Sequence, residues 1–172
     1  MWQKIKPYVI SVAFALGIGG LSALITAGSM DLYSEIVQPP LAPPGFLFPI
    51  VWTILYILMG ISAAMIWQER GTNRQKVDTA LSVYALNLFL NFFWSIIFFN
   101  MRAFLFAFIW LIALWAVILT MIIKFTKIKP VAGYLQIPLS AVGDICRLSQ
   151  PCNLYTELKK RYRTKNPIPL VF

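Results

Sequence analysis

Four long apolar runs separated by short polar breaks dominate the chain. They lie at about 7–27, 46–67, 79–99 and 103–123, each close to the roughly 20 residues that carry an α-helix across a hydrocarbon core. None of the four contains Asp, Glu, Lys or Arg. The breaks differ in kind. The first carries Asp31 and Glu35 and no basic residue, the second Glu69, Arg70, Arg74, Lys76 and Asp78, the third only Arg102, and the fourth Lys124, Lys127 and Lys129. A fifth helix begins near Val131, and its apolar pattern fails after about residue 138. The pattern predicts an all-α integral membrane protein, because only helices whose backbone groups are satisfied internally, or closed barrels, span a bilayer.

Within the runs, spacing singles out three faces. Ala13, Gly17, Gly20 and Ala27 form a face of small residues on the first helix, expected to let another helix approach closely. The second helix follows a charge-free segment in which Pro39, Pro40, Pro43 and Pro44 hold the backbone extended as a stiff lid. Trp52, Tyr56, Met59 or Gly60, and Ala63 then recur three or four apart. That spacing serves either an ordinary spanning helix with interfacial aromatics or a ligand-lining face. On the third helix, Tyr84, Asn87, Asn91, Trp94 or Ser95, and Phe98 share one side. Amides in hydrocarbon need partners, so this side is expected to look into the protein, toward either neighbouring helices or a ligand.

Composition agrees: 59% of residues are hydrophobic, 15% aromatic and 12% charged. A net charge of +9 would point to nucleic acid in a soluble protein. Here the basic residues sit in inter-helix breaks and the tail, where they orient the chain, so no nucleic-acid partner is expected. The basic side holds the N-terminus and the second and fourth breaks, and it is expected to face the cytoplasm. With no histidine and only Cys146 and Cys152, no metal site or disulfide framework is expected. Without an ionisable group in the spans, ion-coupled pumping is disfavoured. What remains is an aromatic, amide-decorated cavity suited to a flat apolar ligand.

The pattern PxxxPPxxxFxxVWxxLYxxMG over Pro39 to Gly60, followed by YxxxxxLNxxWSxxFF over Tyr84 to Phe99, resembles the translocator protein family, also called TspO/MBR or tryptophan-rich sensory proteins. The similarity covers roughly Tyr33 to Pro138. It implies a five-helix bundle, often a homodimer, in a bacterial cell membrane, binding porphyrins such as protoporphyrin IX and also sterols, with no cofactor required. Carried over by position, the ligand pocket includes Tyr33, Trp52, Tyr56, Asn91, Trp94 and Ser95, with Asn87 standing where members usually have glutamine. Some members are reported to promote light-dependent porphyrin breakdown, which would use Trp52. A small uncoupled transporter or a purely structural bundle is the further alternative.

The fifth helix departs from that pattern. Only about 14 residues separate Lys129 from Asp144, fewer than the roughly 20 a span needs. Asp144 and Arg147 each cost about 2.5 to 3.5 kcal/mol at mid-membrane. The segment 1–138 therefore reads as the family-like domain and 139–172 as a basic non-family tail. A one-nucleotide slip of the reading frame from about Leu139 accounts for this, since codons compatible with the tail spell a continuous apolar helix in the neighbouring frame. Leu158, Tyr162 and Lys165 match the loose sterol-contact pattern, which is read as accidental there.

Overall fold

A computed structural model describes residues 2–29, 47–101 and 104–144. Among them there is no strand. The first helix, α1 (Trp2–Thr26), continues into a 3-10 turn at Ala27–Ser29. The remaining helices are α2 (Leu47–Gln68), α3 (Arg74–Phe99), α4 (Phe104–Ile128), α5 (Pro130–Tyr134) and α6 (137–144). Four of them, α1 to α4, are long and apolar enough to cross a membrane, and this is an integral, multi-pass membrane protein.

Several boundaries differ from the expected ones for identifiable reasons. The first helix starts ahead of Pro7, which sits inside it and deletes a single intrahelical bond. The third starts at Arg74 because the Asn73 side chain accepts a hydrogen bond from the Lys76 amide at 3.2 Å, an N-cap that the surrounding charges disguised as loop. Pro138 accounts for the break between α5 and α6 at residues 135–136: it has no amide to donate to the Tyr134 carbonyl, so the intrahelical bonding is interrupted there. The chain resumes its helix with that proline in the first turn, where it is tolerated.

The helices pack in a chain of neighbours. α1 lies on α2 and α3, α3 on α4, and α5 on α4 and α2. Met59, Ile66, Leu88, Met121 and Phe125 are buried between them, whereas Phe14, Leu24, Ile54, Phe89 and Ile109 are exposed toward the lipid. Apolar side chains on both sides mean that van der Waals fit and buried polar bonds hold the bundle, with little hydrophobic difference between core and solvent.

Close contacts gather at the basic end. A Cβ on Gly60 would meet the Val12 Cα at 2.5 Å, so only glycine lets α1 and α2 touch backbone to backbone there. Ser62 donates to the Ala132 carbonyl at 2.6 Å, tying α5 to α2 inside the bundle. Lys129 pairs with Glu69 at 2.9 Å and Arg70 with Asp78 at 2.9 Å, while the Arg70 guanidinium lies 4.4 Å over the Trp67 ring. The second and fourth breaks thus meet on one side, as the distribution of basic residues predicts.

The small-residue face expected on α1 is not the packed one. Ala13 and Gly17 are exposed, and a Cβ on Gly17 or Gly20 would meet nothing. The side turned to α2 and α3 instead carries Val12, Ala15, Gly19, Ser22 and Thr26, about one position round the helix. Both stripes offer small residues at similar spacing, so spacing could not choose between them.

Candidate ligand-binding site

The aromatic face of α2 and the amide face of α3 do meet. Tyr56 is buried, and its hydroxyl accepts a hydrogen bond from Asn91 Nδ2 at 3.3 Å. Trp52, one turn toward the start of α2, stacks on Trp94 of α3 with ring centres 6.2 Å apart and planes 28° apart. Trp94 in turn stacks on Phe98 at 5.5 Å and 18°, and Tyr56 lies tilted against Trp52 at 5.9 Å. The rings therefore form one ladder across the α2–α3 seam. Each such pair contributes about 0.5–1.5 kcal/mol beyond its buried area.

Beside this ladder lies a cavity of about 350 Å3. Its aromatic wall is α2, through Pro49, Trp52, Thr53 and Tyr56, and α3 adds Ser95. The opposite wall is α1, through Gly19, Gly20, Ser22, Ala23 and Thr26, with Leu16 and Ala27 at its two ends. Tyr56 fits there because Gly19 has no side chain, since a Cβ would run into its ring. The Thr26 hydroxyl donates to the Ser22 carbonyl at 2.9 Å and the Thr53 hydroxyl to the Pro49 carbonyl at 2.8 Å. Both threonines thus satisfy their polar atoms within their own helices, leaving the cavity walls mainly apolar.

Of the residues expected in a pocket, Trp52, Tyr56 and Ser95 line this cavity, while Trp94, Asn91 and Asn87 stand behind the lining. Tyr33 and the lid prolines Pro39, Pro40, Pro43 and Pro44 lie outside the described residues. The α1 wall had no place in the sequence reading. Its signal was the run of small residues from Gly17 to Ala27, which reads equally as a packing stripe.

The bundle also buries polar side chains. Asn87 is 1% exposed and Gln136 fully buried, and both ends of each amide have no hydrogen-bond partner among the described residues. The same holds for Tyr84 Oη, Asn91 Oδ1 and Trp94 Nε1. Unpaired amides in an apolar interior cost several kcal/mol, on the order of 2–7 each. Among the described residues no group of His, Cys, Asp or Glu could hold a metal ion.

Comparison with known proteins places the chain. A profile of the TspO/MBR family matches residues 9–142, through most of the described part of α6. The chain is similar to the tryptophan-rich protein TspO of Chlorobaculum tepidum, 32% identical over 139 residues that cover 80% of this chain and 87% of that protein. It is also similar to the tryptophan-rich protein TspO of Archaeoglobus fulgidus, 36% identical over 122 residues, 70% of this chain and 78% of the relative. The translocator protein of Bos taurus is 36% identical over 100 residues, 56% of this chain and 59% of its own length. With its four spans, its α2–α3 aromatic ladder and this match, the chain belongs to the TspO/MBR family.

Proposed function

We propose that this protein is a membrane receptor for a flat, largely apolar ligand of tetrapyrrole type, protoporphyrin IX being the chemical prototype. The observation that carries this reading is the Trp52–Trp94 stack exposed through Trp52 to an apolar cavity. An aromatic plane at the wall of a water-poor slot favours a planar conjugated molecule, whose faces gain stacking and dispersion energy while its rim carries the polar groups. The relatives named tryptophan-rich sensory protein and translocator protein support a receptor or transport role. The chain has no histidine, so a metalloporphyrin would be held by stacking and hydrogen bonds, with no imidazole for its metal. The N-terminus faces the cytoplasm in this proposal, since it lies with the basic breaks.

The test is quenching of tryptophan fluorescence by protoporphyrin IX, with the protein in lipid nanodiscs. Saturable quenching in the dark, weakened by Trp52→Ala, supports the receptor. Quenching that rises without saturation contradicts it. Loss of porphyrin absorbance only under illumination, and only with Trp52 present, would replace it by light-driven breakdown.

A further inference from the structure

The cavity at Trp52 is a slot between α1 and α2, and four of its lining residues, Gly20, Ala23, Ala27 and Thr53, are exposed. We infer that this slot is a lateral port through which a membrane-dissolved amphiphile reaches the site from the bilayer instead of from water. The inference rests on the ligand-binding reading above and adds the route of access and the phase the ligand comes from.

Three observations support it. First, α1 and α2 touch backbone to backbone at Gly60 and Val12, whereas in the other half of the same pair, beyond the Gly19–Tyr56 contact, the cavity lies between them. Second, the lining residues Gly20, Ala23, Ala27 and Thr53 are also exposed on the outside of the bundle, where the surface is lipid-facing. α1 is the peripheral helix: 17% of its spanning window is buried inside the bundle against 44% for α2. Third, none of the described lining residues is charged, and both of its threonine hydroxyls bond to carbonyls of their own helices. An apolar molecule sliding in from the acyl chains therefore strips water from nothing, whereas one arriving from solution would first leave water for hydrocarbon.

The port also selects by chemistry. It favours ligands that already partition into the bilayer, and it disfavours polyanionic porphyrins that stay in water, whatever their fit to Trp52.

A reducible bridge across the mouth tests this in the folded protein. Ala23→Cys and Thr53→Cys, made in a Cys146→Ser, Cys152→Ser background, are joined with a short bis-methanethiosulfonate reagent and checked by mass. Protoporphyrin IX is then mixed with the protein in phosphatidylcholine nanodiscs and followed by stopped-flow quenching. Bridging is expected to slow association about tenfold or more, with recovery on reduction. Bridging after loading should slow release to the same degree. Unchanged association and release in the bridged protein would overturn the lateral port while leaving the binding reading standing. Absence of saturable quenching in the unbridged protein would overturn both.

Discussion

The two halves of the α1–α2 pair solve one packing problem in opposite ways. On the basic side the glycine is on α2: Gly60 admits the α1 backbone at Val12, and the helices close. On the other side the glycine is on α1: Gly19 admits the Tyr56 ring, and small residues beyond it leave the helices open. A single residue type thus produces a seam in one half and a binding slot in the other. Which results depends on whether the facing position offers backbone or an aromatic ring. In a bundle held by fit more than by water exclusion, such local choices decide where a cavity survives.

The sharpest way to break this contrast is Gly60→Leu. Its side chain runs into the Val12 backbone as well as the Val12 Cγ2, so the seam must open, and a loss of about 3 kcal/mol or more is expected, read as a fall in thermal unfolding temperature in detergent. Gly19→Ala acts on the open half. Its methyl meets a side chain that can swing away, so the expected stability loss is smaller, about 1–2 kcal/mol. Because Tyr56 must then leave Asn91 and narrow the slot, porphyrin affinity is expected to fall by about tenfold in a quenching titration. Ser62→Ala removes the buried bond to Ala132 and should cost about 1 kcal/mol, while leaving porphyrin affinity unchanged because it lies on the closed side. Glu69→Gln unpairs Lys129 at the half-exposed basic end, with an expected effect of about 0.5 kcal/mol that disappears at high salt.

Much of this was legible in the chain itself. Uncharged runs of spanning length announce four helices, and the spacing of Trp52 with Tyr56, and of Asn87 with Asn91 and Trp94, put aromatic and amide faces on the inside, where the structure has them. A three- or four-residue period fixes a face whenever its residues differ chemically from their neighbours. On α1 that condition fails. Ala13, Gly17 and Gly20 look like Ala15, Gly19 and Ser22, and only the position of Tyr56 across the gap decides which stripe is used. The N-cap at Asn73 was readable but was hidden among charges. Gln136 was not foreseeable as a buried group, because its position depends on the Ser62–Ala132 bond that sets α5 against α2. The tail from residue 145, with Cys146 and Cys152, lies outside the described residues, and the proposed frame slip is a question for the nucleotide sequence. An intact frame, with codons that cannot spell an apolar helix in the neighbouring phase, would rule it out.

The central claim is that a planar ligand sits against Trp52 in the slot between α1 and α2. Its most direct test is a titration followed by the absorbance of protoporphyrin IX, using Trp52→Ala and, as a control, Trp67→Phe at the basic end. The account predicts a saturable spectral shift in the unaltered protein, about tenfold weaker binding in Trp52→Ala, and no change in Trp67→Phe. Equal affinity in all three proteins would contradict it.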